Sequence, residues 1–279
     1  MKKNKIKIIL IAIVLIVASF KLGTYIQGKN KNLSKTIFVS GNIEATEVRA
    51  SFQVSGKIKE LLSDEGKIVK KADVLARLDT EELEKIKTQA EAALEEAQFN
   101  RERLKEDYER AENLLAAGAI SAQKRDSAKT NADMAKAKLD TLKANLDLAA
   151  IRLNYADLIS PMDGFVLVKS AEVGEVIQAG APVFTLADLQ NIWLTAYINE
   201  TDLGRVKLNQ DTRIKIDTYP DKTYRGRISF ISQEAEFTPK QIQTKEERAK
   251  LVYRIKISID NANMELKPGM PADAHIDIE

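Results

Sequence analysis

Apolar residues recur in a seven-residue pattern along two long segments in the middle of the chain. The intervals alternate between three and four, except that Lys87 and Arg101 break the second apolar row of the first segment. The first segment runs from Glu81 to about Ala117 without proline or glycine, and the second from about Ser121 to Asn154. Such spacing forms one apolar stripe along a helix, the heptad seam of helices that pack in pairs. The pattern predicts two helices, with Ser121 as N-cap of the second. The predicted seams are Leu83, Ala90, Ala97, Leu104, Ala111, Leu94, Tyr108 and Leu115, then Ala128, Ala132, Ala135, Leu139, Leu142, Leu146, Ala149 and Leu153.

The two helices are separated only by a short break at Gly118. Helices joined by so short a loop run antiparallel, and about 35 residues at 1.5 Å each make a hairpin on the order of 50 Å long. An alternative is that both belong to an ordinary helical bundle. The seams are narrow and rich in alanine, and the remaining faces are charged, which favours a hairpin that pairs once and leaves its other faces in water.

Short β-type runs flank this helical region and repeat each other. Gly56 is followed ten residues later by Gly66, and Gly164 is followed ten residues later by Gly174, with similar apolar and charged residues between them. This internal repeat predicts one small β sandwich built from two similar halves. The hairpin would then leave the sandwich where the two halves would otherwise join.

The region from residue 188 to the end has the pattern of a small, mostly antiparallel barrel. A turn precedes the last run at Pro268-Gly269, and Phe237 to Lys250 is polar and aperiodic, which indicates a loop. We predict a short helix from Asn199 to Val206. The predicted strands are Ile37–Val39 and Val48–Phe52 before the hairpin, and Ile192–Ile198, Thr212–Asp217, Tyr224–Ser232, Leu251–Ile259 and Ala272–Ile278 in the barrel.

The N-terminus carries a membrane-targeting pattern. Four lysines between Lys2 and Lys7 precede an apolar run from Ile8 to Phe20. This run fits either a cleaved signal peptide or a signal anchor. The cleavage site would be poor, and Ile6 to Leu22 is long enough to anchor, so we favour the anchor. In both cases the lysines stay inside, and the rest of the chain lies outside the cytoplasm.

Composition and motifs argue against an enzyme. Charged residues make up 30% of the chain, but the net charge is only +2, so nucleic-acid binding is not expected. The chain has no cysteine, which excludes thiol chemistry. The single histidine, His275, could share a strand face with two aspartates, but a surface position is the better interpretation than a metal site. Trp193 is expected in the barrel core rather than at a ligand. We predict no catalytic residue, no metal and no cofactor.

The repeated Gly56 and Gly164 motifs resemble the lipoyl/biotinyl-carrier fold, in which a modified lysine sits at the turn between the halves. The corresponding stretch here, Leu78-Asp79-Thr80-Glu81, has no such lysine, and the hairpin replaces the turn. This arrangement resembles the periplasmic adaptors, or membrane fusion proteins of the hemolysin-secretion D type, over nearly the whole chain. The fold expected is an elongated α+β protein: an N-terminal membrane anchor, a long antiparallel α-helical coiled-coil hairpin inserted in a split lipoyl/biotinyl-like β sandwich, and a small β-barrel.

The domain boundaries expected from the resemblance divide the chain into five parts. They are a cytoplasmic stub and signal anchor at 1–27, a membrane-proximal segment at 28–48, the split lipoyl-like domain at 49–79 and 155–187, the helical hairpin at 80–154, and the β-barrel domain at 188–279.

The hairpin tip carries a sharper motif of the same family. Adaptors that work with an outer-membrane duct have arginine, leucine and serine at a fixed spacing, which Arg110, Leu114 and Ser121 reproduce. Arg110 and Leu114 are one helical turn apart and share a face. The resemblance implies that these three residues dock the duct. The alternative is a surface arginine, a leucine at the edge of the seam and an N-cap serine.

The resemblance implies an adaptor subunit of a tripartite efflux or secretion system. Phe237-Thr238-Pro239-Lys240 and the segment from Gln243 to Arg248 resemble adaptors of ABC-type exporters in particular. The adaptor would link an inner-membrane ABC-type exporter to a TolC-like outer-membrane channel and self-associate into a ring, with six copies expected. The chain would be anchored in the inner membrane of a Gram-negative bacterium, with its bulk in the periplasm. Alternatives are an adaptor of a proton-driven pump or of type I protein secretion, a carrier-domain subunit, and a coiled-coil tether without a transport partner.

Overall fold

The structure, a computed structural model, describes residues 36–237 and 251–278. It contains two long helices, one short helix and twelve strands within those ranges. The helices are α1 (Glu81–Ala116), α2 (Ala122–Asn154) and α3 (Glu200–Leu203). The strands are β1 (Thr36–Ser51), β2 (Gly56–Leu61), β3 (Ile68–Val69), β4 (Val74–Leu78), β5 (Asp157–Ile159), β6 (Gly164–Lys169), β7 (Val176–Ile177), β8 (Pro182–Asn199), β9 (Asp211–Lys215), β10 (Tyr224–Phe237), β11 (Leu251–Asp260) and β12 (Pro271–Asp277).

The chain divides into two compact units. The first, Thr46–Leu189, contains the repeated motifs and both long helices and is called the carrier-like unit. The second contains residues up to Ala45 and from Gln190 onwards and is called the barrel unit. Thr36–Ala45, which lies in the segment expected to be membrane-proximal, forms part of the barrel unit.

The two halves of the repeat in the carrier-like unit interlock through matching backbone hydrogen bonds. The amide of Gly66 donates to the carbonyl of Val166 at 3.0 Å, and the amide of Gly174 donates to the carbonyl of Ile58 at 2.9 Å. The strand pairs are equally reciprocal, because β2 of the first half pairs with β7 and β3 pairs with β6 of the second. Each half therefore completes the other, as the internal repeat predicts. The core shared by the halves includes Phe52, Ile58, Leu75, Leu78, Val166, Val183, Phe184 and Leu186.

The long helices start and end where the residue pattern predicts. At the start of α1, the Asp79 carboxylate accepts a hydrogen bond from the Glu81 amide at 3.2 Å, and the Thr80 hydroxyl donates to Glu84 at 2.7 Å. The helix begins there because Asp79 takes up one of the first amides, which have no partner inside a helix. The chain leaves the β strands before α1 and returns to them after α2 at neighbouring residues. There the Leu78 amide donates to the carbonyl of Ala156 at 2.9 Å.

Burial along α1 and α2 follows the predicted seams. Every predicted seam residue is buried or half-buried, and Ala97, Ala135 and Ala149 are the most enclosed. Alanine at these positions lets the two helices approach closely, since it adds little bulk between them. Lys87 and Arg101 interrupt the apolar row but remain half-buried, as expected where the alkyl stem packs and the charge reaches water. The two helices contact each other along this side and run antiparallel because both ends return to the same strands.

The barrel unit is an antiparallel sheet in the strand order β1, β12, β9, β10, β11, β8, and β1 also pairs with β8. Gly41 on β1 lies so close to β8 that a Cβ there would be 2.0 Å from the carbonyl oxygen of Thr195. The core is filled mainly by β-branched residues, which suit strands packed on one face. They include Ile37, Val39, Ile43, Ile192, Ile198, Ile214, Ile228, Ile255, Ile257 and Ile276, and Leu194 lies in the same core.

Trp193 lies on the outside of the barrel, so its predicted place in the core is wrong. Its neighbours Ile192 and Leu194 are buried, and alternation along β8 turns the intervening side chain to the opposite face. The indole N–H of Trp193 donates to Glu44 at 3.0 Å. The ammonium group of Lys256 lies 4.3 Å from the ring centroid, a cation–π contact.

The expected anchor at residues 1–27 lies outside the described residues, as does most of the loop expected between Phe237 and Lys250. Among the helices described, none combines the length and apolar character that a membrane span requires. The predicted helix from Asn199 to Val206 is present as the shorter α3.

Candidate functional site

The loop between α1 and α2 reverses the chain through a defined helix-ending motif. The amide of Gly118 donates to the carbonyl of Leu115 at 2.9 Å, and the amide of Ala119 donates to the carbonyl of Leu114 at 2.8 Å. Gly118 has a φ of +72°, the left-handed conformation that glycine adopts at little cost. This is the Schellman arrangement, which satisfies the last carbonyls of a helix and stops it. The turn therefore occupies only five residues, Ala117 to Ser121.

Ser121 begins the returning helix as predicted. Its backbone is extended, with φ −79° and ψ 155°, and its hydroxyl accepts a hydrogen bond from the Lys124 amide at 3.4 Å. The bond is long, and the serine side chain is exposed. Among the described residues, the Ser121 hydroxyl donates to no acceptor. It can therefore still donate a hydrogen bond to a partner protein.

Arg110 and Leu114 lie on the last two turns of α1, and both are exposed. The Arg110 side chain is 67% exposed, and its one ion pair among the described residues is with Asp107, with 3.3 Å between Nη1 and Oδ1. An exposed pair of this kind stabilises by well under 1 kcal/mol, so the guanidinium is readily available to another carboxylate or carbonyl. Leu114 is 41% exposed, unlike the half-buried seam residue Leu115 beside it. Leu114 and Ser121 thus flank the turn, and Arg110 follows one helical turn below.

A polar contact just below the loop joins the two helices and was not predicted. The Tyr108 hydroxyl donates to Glu112 at 2.5 Å, which raises the pKa of Tyr108 above its ordinary value, and nearby Arg125 of α2 opposes that rise. Arg125 also lies 2.8 Å from Asp126, measured from Nε to Oδ1. Arg125 stands three residues before Ala128, on the seam of α2. A charged residue at a seam position was the signal in the sequence for this contact.

Within residues 36–237 and 251–278, no three histidine, aspartate or glutamate side chains are grouped to hold a metal ion. His275, the one histidine of the chain, packs edge-on against Phe38 with 5.2 Å between ring centroids. At the junction of the repeat halves, where a carrier protein would present a lysine, the chain continues into α1.

Two family models match successive parts of the chain. A CzcB-like barrel-sandwich hybrid domain matches residues 46–188, and a YknX-like β-barrel domain matches residues 192–276. These ranges follow the division into a carrier-like unit and a barrel unit.

Proteins of known sequence match over nearly the full length. A UPF0194 membrane protein of Yersinia enterocolitica is 31% identical, over 97% of this chain and 98% of its own. The UPF0194 membrane protein YbhG of Salmonella gallinarum is 29% identical, over 96% of each chain.

Solved structures share the fold. MacA of Actinobacillus actinomycetemcomitans is 26% identical with a TM-score of 0.66, covering 88% of this chain and 79% of its own. A MacA–MexA chimera carrying the Pseudomonas aeruginosa MexA α-hairpin is 28% identical with a TM-score of 0.68, covering 89% and 83%. The membrane fusion protein Spr0693 of Streptococcus pneumoniae, at 19% identity and a TM-score of 0.70 over 87% and 99%, supports the fold alone.

A split carrier-like β unit with two inserted helices, followed by a β-barrel, defines the class of membrane fusion proteins, or periplasmic adaptors, and this chain belongs to that family. Within it, the full-length matches are to the UPF0194 membrane proteins. Members of the family are structural adaptors rather than enzymes.

Proposed function

We propose that this chain is the adaptor subunit of a tripartite efflux or secretion system, linking an inner-membrane ABC-type exporter to a TolC-like outer-membrane channel. The observation that carries the proposal is the long helix pair between the halves of a carrier-like unit, with exposed Arg110 and Leu114 beside its closed end. An exposed apolar and cationic end on a narrow helical arm is suited to binding a protein partner at a distance. In this proposal the helix pair is a coiled-coil hairpin.

The tip docks through three side chains with different roles. Arg110 bonds to carboxylates or carbonyls of the channel, Leu114 enters a groove between its helices, and Ser121 donates its free hydroxyl proton. The weak Arg110–Asp107 contact supports this role, because little stabilisation is lost when the arginine changes partner. Tyr108 bonds to Glu112 within α1 and interacts with Arg125 of α2, and this cross-helix interaction supports a defined position of Arg110 and Leu114 relative to Ser121.

In this proposal the adaptor itself catalyses no reaction. The exporter supplies energy and selects the substrate, while copies of the adaptor, six in a ring, align and seal the path. The N-terminal anchor would hold each copy to the inner membrane, with the rest of the chain in the periplasm. Adaptors for a proton-driven pump or type I secretion share this architecture and differ in the inner-membrane partner. The resemblance of the segment between Phe237 and Arg248 to adaptors of ABC-type exporters favours the ATP-driven partner.

Crosslinking in cells tests the proposal. A photoreactive amino acid at Ala117, on the exposed turn, should capture an outer-membrane channel protein, whereas the same probe at Phe99, exposed midway along α1, should not. Co-purification of the full chain with an ATPase subunit identifies the ABC-type partner. Capture of no channel from Ala117, or only of other copies of the chain, would favour the tether alternative.

A further inference from the structure

The two flanks of α2 beside its seam have opposite chemistry. One flank carries carboxylates every seventh residue with lysines between them, and the other has no carboxylate. The first consists of Asp126, Asp133, Asp140, Asp147, Lys129, Lys136 and Lys143. The second consists of Lys124, Asn131, Lys138, Asn145 and Arg152 with Ser127, Met134, Thr141 and Leu148. A repeat of seven residues keeps each set on one side of a helix that is paired along its seam.

α1 extends both flanks. In an antiparallel pair, equivalent positions of the heptad lie next to each other, so each side of the pair combines one flank of each helix. The side with the aspartates gains Glu84, Glu91, Glu95, Glu102, Glu109 and Glu112 with Lys105, and we call it the acidic flank. We call the side with Met134 and Leu148 the apolar flank. From α1 it gains one row of Ile86, Ala93, Asn100, Asp107 and Leu114, and a second row of Glu82, Gln89, Glu96, Arg103 and Arg110.

The apolar flank is exposed to an extent that the fold of one chain does not explain. Met134 is 66% exposed, Leu148 is 47% exposed and Ile86 is 39% exposed. The seam is filled largely by alanine, so these larger apolar side chains lie outside it and in water. Leu148 and Ile86 also lie equally far from the Leu78–Ala156 hydrogen bond that closes the base of the helix pair. They therefore stand at one level, and Met134 continues their line towards the loop.

The acidic flank has charges that no neighbour within the chain satisfies. Asp133, Asp140 and Asp147 of α2 form no ion pair with any residue that the structure describes. Several charges of α1 are instead paired along its own surface, as in Lys87–Glu91 at 3.3 Å. The free carboxylates of one flank and the cations Lys124, Lys138 and Arg152 of the other are complementary in charge.

We infer that the apolar flank of one copy packs against the acidic flank of the next copy. Met134, Leu148 and Ile86 lose their exposure in this contact, and the cations around them meet the unpaired carboxylates. The inference rests on the proposed function, in which copies stand side by side in a ring. Contact between unlike flanks is heterologous and can repeat from copy to copy until a ring closes. A two-fold contact would place the cations of α2 against each other, which costs energy.

The absence of cysteine from the chain makes a direct test practical. Gln98 lies on the acidic flank, seven residues after Glu91. Met134→Cys combined with Gln98→Cys therefore places one thiol on each flank, at about equal distances from the Leu78–Ala156 bond. Oxidation of the full-length protein in membranes should give crosslinked species larger than a dimer. The matched control, Met134→Cys with Phe99→Cys, moves the second thiol by one residue to the outer side of α1 and should give none. Equal crosslinking by the control, or efficient dimers from Met134→Cys alone, would overturn the head-to-tail contact.

A second measurement separates this contact from the adaptor function itself. Met134→Glu with Leu148→Glu should lower the assembled fraction in chemical crosslinking at least tenfold. Phe99→Glu with Ile151→Glu, which changes exposed apolar residues on the outer sides, should leave it unchanged. If both double variants assemble normally while Arg110→Glu still abolishes export, the flank contact is wrong and the adaptor function stands. If Arg110→Glu leaves export intact while the thiol pair still crosslinks, the contact stands and the tip-docking proposal fails.

Discussion

The amide of Gly174 donates a 2.9 Å hydrogen bond to the carbonyl of Ile58, so the turn of one repeat half is fastened to the strand of the other. Gly66 makes the matching bond in the opposite direction. Both glycines adopt the left-handed conformation, with φ of +90° and +83°. A Cβ at Gly66 or Gly174 would meet no atom within 4 Å, so a substitution there changes backbone strain alone.

We therefore expect Gly174→Ala and Gly66→Ala to destabilise the carrier-like unit by about 1–2 kcal/mol each, the cost of a left-handed L-residue. The losses should be similar because the sites are equivalent. Gly174→Asn and Gly66→Asn should lose less, since asparagine tolerates this conformation. Denaturant unfolding of the purified chain measures the effect. A loss as large for asparagine as for alanine would contradict the explanation by strain.

Arg110→Glu and Leu114→Ser should each abolish export while leaving a folded protein. Both side chains are exposed, so their replacement removes contacts to a partner and little else. Lys85→Glu is the control, because Lys85 is also an exposed cation of α1 but belongs to neither flank and lies far from the turn. Export of a known cargo in a strain that depends on this adaptor is the measurement. Normal export by the Arg110 and Leu114 variants would remove the basis for docking at the tip.

Substitutions at Ser121 can separate capping from docking. Ser121→Ala should cost about 1 kcal/mol through loss of the cap and should also reduce export. Ser121→Asp keeps a capping acceptor but has no hydroxyl proton, so thermal unfolding should return to normal while export stays low. Ser121→Thr should preserve both. If the aspartate variant exports normally, Ser121 acts only as a helix cap.

Gly41→Ala should destabilise the barrel unit severely, by about 3 kcal/mol or more. The added Cβ would lie 2.0 Å from the Thr195 carbonyl oxygen and 2.8 Å from its carbon, both backbone atoms that cannot rotate away. Gly204→Ala in the same unit is the control, because a Cβ there meets nothing within 4 Å. Trp193, the only tryptophan, provides the fluorescence signal for unfolding. Equal stability of the two variants would show that the strands separate easily at Gly41.

The helices were the most predictable part of the fold because their pattern is local and long. A seam repeated every seven residues, Gly118 and Ser121 together determine both helices and the turn between them. The interlocking of the β halves was predictable from the matching motifs around Gly56 and Gly164. The three candidate tip residues lie beside the turn, but their docking role remains a prediction, since it depends on a partner.

The long strands were harder to predict because their continuity depends on distant contacts. β1 was predicted as two pieces around Gly41, whereas the structure has one strand of 16 residues. Glycine there allows close approach to β8 and does not mark a turn. Trp193 was misplaced because alternation along β8 decides its face, and hydrophobicity alone does not. The Tyr108–Arg125 contact was missed because it joins residues on different helices.

The Leu78–Ala156 hydrogen bond closes the base of the α1–α2 helix pair. The length of the helix pair is therefore independent of the β strands of the carrier-like unit. Since both helices start and finish at this bond, one heptad could be added to each without moving a single strand. Each addition would lengthen the arm by about 10 Å and preserve the facing of the seam. For the adaptor proposed above, a gap of different width between two membranes would therefore need insertions in this one region only, with the β units unchanged.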